Sequence, residues 1–256
     1  MKKLFVLMTP VAVLLGACEP VDDSDTQTSA PEAAGAYYAA RPTQYNWPAA
    51  EHALALAPSL LTPNYYLVID GSGSMEDAGC SGERPKLEVA KEAVAQFVDH
   101  IPEDANVGLL VFDDAGIAER VALGANHTAV KQYVLNMQAS GGTPLRSAMS
   151  LAFDAITVQA QKQLGYGEYH MVVVTDGEAN GGEDPRDLVR AILAASPVTI
   201  HTIGFCIGSG HSLNIPGVTD YRAANNPAEL LAGLQSVLAE SPDYVADQFD
   251  AGSAKE

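Results

Sequence analysis

Between residues 64 and 240 short apolar runs alternate with longer stretches of helical periodicity. Asn64–Asp70 (NYYLVID), Asn106–Phe112, His170–Thr175 (HMVVVT) and Val198–Phe205 are compact apolar runs, as expected of strands buried on both faces. From Lys86 to Ile101, apolar residues at Leu87, Ala90, Val94, Phe97, Val98 and Ile101 draw one stripe along a helix. The pattern also predicts helices over His127–Met137, Pro144 to about Gln161, Pro185–Ala195, and from Pro227 to about Glu240. Asp113–Gly116 reads as a turn returning the chain along Ile117–Leu123, and Tyr221–Ala224 as a last short strand. The expected fold class is α/β: a doubly wound, mostly parallel central sheet with one antiparallel edge strand and helices on both faces.

Outside this region the pattern breaks down. Residues 1–17 carry Lys2 and Lys3, then an apolar stretch from Leu4 to Leu15, about half of what a membrane-spanning helix needs. Leu15-Gly16-Ala17-Cys18 resembles the lipobox of bacterial lipoproteins. That resemblance implies a signal peptide cut before Cys18, lipidation of that cysteine, and membrane attachment through the lipid in the bacterial cell envelope. By analogy with lipoprotein sorting, Glu19 at the next position favours the outer membrane over the inner. Residues 18–45, rich in Asp, Ser, Thr, Pro and Ala, read as a flexible tether. Residues 46–63 form an apolar extension expected to fold as a short helix against the domain of residues 64–241, and 242–256 read as a polar tail.

Charge narrows the partners. The 256 residues hold 14 Lys and Arg against 32 Asp and Glu, a net charge of -18. That balance excludes nucleic acid as a partner, because phosphate binding needs clustered cations. Hydrophobic residues at 47% leave ample material for a core.

The chemistry gathers at strand ends. The first strand closes in Asp70-Gly71-Ser72-Gly73-Ser74, three oxygen side chains spaced by two with glycines between. Gly141-Gly142-Thr143 puts a hydroxyl just before a helix, and Asp176 closes the HMVVVT strand. With strand order 3-2-1-4-5-6, Asp70 and Asp176 end neighbouring strands at the point where the order reverses, where open α/β sheets bind ligands. Asp70, Ser72, Ser74, Thr143 and Asp176 together resemble the metal ion-dependent adhesion site of von Willebrand factor type A domains, over about residues 64–240. The resemblance implies a cation held by the three hydroxyls, with Asp70 and Asp176 often acting through water, and a protein partner's Asp or Glu at the open position. Hard oxygen donors suit Mg²⁺, or Mn²⁺ or Ca²⁺.

Other residues read more plainly. Glu178 is expected to be a solvated loop residue, Asp113 and Asp114 a hairpin turn, and His170 and His201 strand residues. His211 lies in a Gly- and Ser-rich loop that borders the same edge. Cys80 and Cys206 both fall near that edge; they either pair as a disulfide, as an oxidising envelope compartment favours, or remain two thiols. A cation-dependent, non-enzymatic binding module is the leading reading. The alternatives are a structural envelope protein stabilised by the metal and a metal-dependent hydrolase. For the last, a Walker-type phosphate loop, an HExxH pair and a Gly-x-Ser-x-Gly elbow around Ser72 and Ser74 are all missing.

Overall fold

The computed structural model describes residues 46–49 and 54–239. The strands are β1 (Asn64–Asp70), β2 (Asn106–Asp113), β3 (Gly116–Gly124), β4 (Tyr169–Thr175), β5 (Thr199–Phe205) and β6 (Asp220–Ala224). The helices are α1 (Lys86–His100), α2 (His127–Leu135), α3 (Leu145–Lys162), α4 (Arg186–Ala195) and α5 (Pro227–Ala239). The strands form one sheet in the order β3-β2-β1-β4-β5-β6. Only β3, paired with β2, runs antiparallel. The expected topology is therefore the observed one.

The apolar strand runs serve two cores. Alternate residues of β1 face opposite ways, since successive side chains on a strand point to opposite faces. Tyr65, Leu67 and Ile69 pack with Val94 and Phe97 of α1, Val130 of α2 and Leu234 of α5. Tyr66 and Val68 pack with Met149 and Ile156 of α3 and Ile192 of α4. Each fully buried leucine, isoleucine or phenylalanine here contributes roughly 2 kcal/mol by leaving water. The sheet is thus fixed from both sides, and the loops at its carboxyl edge start from rigid ends.

Element ends differ from expectation by one or two residues. Helix α2 stops at Leu135, because the amides of Asn136 and Met137 turn back to Tyr133 O and Val134 O (3.0 and 3.2 Å) and drop Met137 into the core. The apolar extension departs further. Residues 46–49 and 54–61 form no helix. Pro58 lacks the amide that a helical turn would use. The Ala57 amide bonds instead to Lys162 O at the end of α3 (2.9 Å). Trp47 packs on Phe153 and edge-on to Tyr169, and its indole N–H donates to Thr157 Oγ1 (3.1 Å). Tertiary contacts, and not local periodicity, set this segment's path. Cys18 and the segments expected to be a signal peptide, a tether and a polar tail all lie outside the described residues.

At the amino-terminal half of the sheet the two strand histidines meet. His170 Nδ1 lies 3.2 Å from His201 Nε2, and His201 Nδ1 lies 3.2 Å from Asp220 Oδ2. His170 also stacks on Tyr65 with ring centroids 4.8 Å apart. Burial, reinforced by the neighbouring His201, pulls the His170 imidazole down to about 4. It is a neutral core residue, as its strand setting implies.

Candidate metal centre

Strands β1 and β4 are neighbours, and the chain leaves β1 in one direction and returns to β4 from the other. Their carboxyl ends therefore open onto a crevice. Asp70 is fully buried there. Its Oδ1 accepts the Ser72 amide (2.8 Å) and its Oδ2 accepts the Thr175 hydroxyl (2.6 Å). Burial pushes its carboxyl up to about 6, against the pull of those hydrogen bonds. Asp70 thus shapes the loop with both oxygens engaged.

The other donors converge next to it. Ser72 Oγ and Ser74 Oγ lie 3.1 Å apart, and Ser74 Oγ donates to Asp176 Oδ1 at 2.8 Å. Thr143 stands beside them: a β-carbon added at Gly177 would meet Thr143 Oγ1 at 3.6 Å and Ser74 Oγ at 3.7 Å. Gly177 therefore keeps both hydroxyls uncovered. Ser72, Thr143 and Asp176 are buried, whereas Ser74 faces solvent. The structure brings together all five residues expected from the sequence.

The donor types suit a hard divalent cation such as Mg²⁺, Mn²⁺ or Ca²⁺, and Ser72 Oγ, Ser74 Oγ and Asp176 Oδ1 lie in succession within hydrogen-bond distance of one another. The donors are carboxylates and neutral hydroxyls, so a zinc-type cage is not the comparison. No group of three or more His, Cys, Asp or Glu suited to a metal occurs among the described residues.

Main-chain hydrogen bonds set the loop spacing. Gly71 N donates to Phe112 O (2.9 Å), Ser140 N to Gly71 O (2.7 Å) and Gly73 N to Gly141 O (3.0 Å). Gly141 has φ +80°, and a β-carbon there would sit 2.7 Å from Asp114 N, so only glycine fits against the β2–β3 turn. The Thr143 loop is held from the other side. Asn180 N donates to Thr143 O (3.0 Å), and Glu183 accepts the amide and hydroxyl of Ser147 (both 2.8 Å) in the first turn of α3.

Several neighbours were not evident from sequence. Thr175 fixes Asp70 as described. His211 Nδ1 accepts the Leu213 amide (3.0 Å), so its Nε2 carries the proton and donates to Gly177 O (2.9 Å). His211 thus does border the site. Lys86, the first residue of α1, is buried and its ammonium is in direct ionic contact with Asp176 Oδ2. That oxygen accepts no well-directed hydrogen bond among the described residues, so the contact is one of charge. Glu178 is exposed and accepts the Ser212 amide (3.3 Å), as a solvated loop residue should. Asp113 Oδ1 accepts from Ala115 N and from Arg120 (2.9 and 3.0 Å), which makes it part of the hairpin turn. Cys80 and Cys206 form a disulfide with Cα atoms 5.3 Å apart, tying the loop after Ser74 to the end of β5.

Residues 64–244 match the family model of the von Willebrand factor type A domain. The chain belongs to that family. This VWA domain is 28% identical over 144 residues to the uncharacterized protein sll0103 from Synechocystis sp., covering 56% of this chain and 32% of that protein's length. The chain thus spans about a third of that relative. Among solved structures, BatB from Bacteroides thetaiotaomicron superposes with TM-score 0.56 at 19% identity, covering 69% of this chain and 98% of that one. The pilus adhesin SpaC from Lactobacillus rhamnosus GG gives TM-score 0.55 at 14% identity, covering 72% and 31%. At these identities the structural matches establish the fold.

Proposed function

We propose that this VWA domain is a cation-dependent protein-binding module, lipid-anchored through Cys18 in a bacterial cell envelope, on the outer membrane. The observation that carries the binding reading is the contiguous cluster of Ser72 Oγ, Ser74 Oγ and Asp176 Oδ1 at the carboxyl edge of the sheet, buried except where Ser74 meets solvent. Ser72, Ser74 and Thr143 are the donors that would hold Mg²⁺ or Mn²⁺, with Asp70 and Asp176 balancing its charge. When bound, the ion supplies a Lewis-acidic position for an incoming carboxylate. The protein's own part is to order the donors, to leave most of them neutral, and to leave the Ser74 side open. A partner's Asp or Glu is the matching ligand. SpaC, with which the fold is shared, is named as a pilus adhesin, which agrees with this reading.

The hydrolase alternative has less to stand on. Asp70, the carboxylate such a hydrolase would use as its nucleophile, is fully buried with both oxygens already hydrogen-bonded. The purified full chain should capture envelope proteins in Mg²⁺ and release them in excess chelator, and Asp176→Ala should capture none. Equal capture under all three conditions would rule out the cation mechanism.

A further inference from the structure

Lys86 is out of place for a helix-start lysine. A cation in the first turn of a helix meets the positive end of the helix dipole. It is also buried, which costs free energy unless the charge is paired. Among the described residues its ion pair is with Asp176 Oδ2. Its stem is confined as well. A β-carbon at Gly79, where φ is +52°, would lie 3.4 Å from Lys86 Cδ and 3.5 Å from Cys206 Sγ. The disulfide-braced turn Gly79–Ser81 therefore packs along the lysine stem, and the Lys86 amide is anchored to Asp77 O (3.0 Å).

Asp176 is thereby divided. Oδ1 faces Ser74 and the donor cluster, and Oδ2 faces the ammonium. We infer that Lys86 is a resident counter-cation of the site, a positioning residue that weakens cation binding and strengthens the capture of a carboxylate once a cation is bound. The inference rests on the cation reading of the preceding section and concerns the charge balance within it. Asp70 and Asp176 together carry two negative charges when ionised. Without Lys86 a divalent ion would neutralise them and leave little pull on an incoming anion. With Lys86 the loaded site keeps a net positive charge of one, in a buried setting where charge acts strongly. The ammonium also leaves Asp176 with Oδ1 alone turned toward Ser74 and the donor cluster.

The test compares wild type, Lys86→Met and Lys86→Arg as purified full chains, with circular dichroism confirming the fold at the working temperature. Free Mn²⁺ is followed by electron paramagnetic resonance. Acetate is then titrated against the Mn²⁺-loaded proteins by water-proton relaxation. Lys86→Met is expected to bind Mn²⁺ ~10-fold or more tightly and acetate several-fold more weakly, whereas Lys86→Arg stays near wild type. A merely structural lysine would not move the two affinities in opposite directions. Lys86→Met that binds Mn²⁺ no more tightly than wild type, or acetate no less tightly, overturns the inference and leaves the cation site standing. Wild type with no Mn²⁺ binding sensitive to Asp176→Ala overturns both.

Discussion

Replacing both members of the Cys80–Cys206 disulfide by alanine removes a cross-link between residues 126 apart in sequence. On the chain-entropy account, a closed loop of that length restricts the unfolded chain by about 16 cal/mol/K, or ~5 kcal/mol at 25 °C, with about 2–5 kcal/mol the usual cost of losing a native bridge. Glycine in place of Cys206 would return part of that, where alanine would not. Cys206 has φ +63°, a left-handed conformation that costs a residue with a β-carbon about 1–2 kcal/mol. The pair Cys80→Ala/Cys206→Gly should therefore be ~1 kcal/mol more stable than Cys80→Ala/Cys206→Ala. Urea unfolding of the oxidised protein and both double variants measures these differences. In a thermal melt the alanine pair should fall by about 5–20 °C, at roughly 2–4 °C per kcal/mol for a domain of this size. A loss below ~1 kcal/mol for the alanine pair would mean that packing alone holds the loop after Ser74 against β5. Equal stability of the two variants would refute the backbone account of Cys206.

Two further outcomes can be checked on the same protein. His170, held at about 4 in the fold against about 6.5 when unfolded, binds fewer protons folded than unfolded between those values. Its contribution is present above about pH 6.5 and lost as pH falls through 4, up to ~3 kcal/mol, and His170→Gln should flatten the wild-type slope of urea stability by about one proton over that window. Gly141→Ala forces a β-carbon to 2.7 Å from Asp114 N at φ +80°, and should cost at least ~2 kcal/mol in urea unfolding; a loss under ~0.5 kcal/mol would show that the β2–β3 turn yields.

The sheet was legible because its strands are short apolar runs that end in their functional residues. Asp70 and Asp176 close NYYLVID and HMVVVT, so their strand ends and their shared edge follow from one pattern. Three neighbours were harder to see. Lys86 looks like an ordinary solvated lysine at a helix start, yet it stands four residues before Ala90 and eight before Val94 on the buried stripe of α1. That register was the available signal. Thr175 carries no signal beyond a polar residue closing an apolar strand. The role of His211 depends on a loop path that periodicity does not encode. The extension departs from its local pattern: an apolar segment with alanines suits a helix, while the Trp47 and Ala57 contacts that decide its path come from α3 and β4.

The glycine-to-carbonyl bonds that join the loops at the sheet edge use main-chain atoms alone. A scaffold stitched in this way separates spacing from identity. The exposed side chains of Glu76, Asp77, Asp114 and Ala115 make none of these bonds and can be exchanged without shifting the oxygens they surround, whereas Glu183, which accepts from Ser147, is part of the frame. The surface around the donor cluster can therefore be rewritten by substitution or loop grafting while the donors stay fixed.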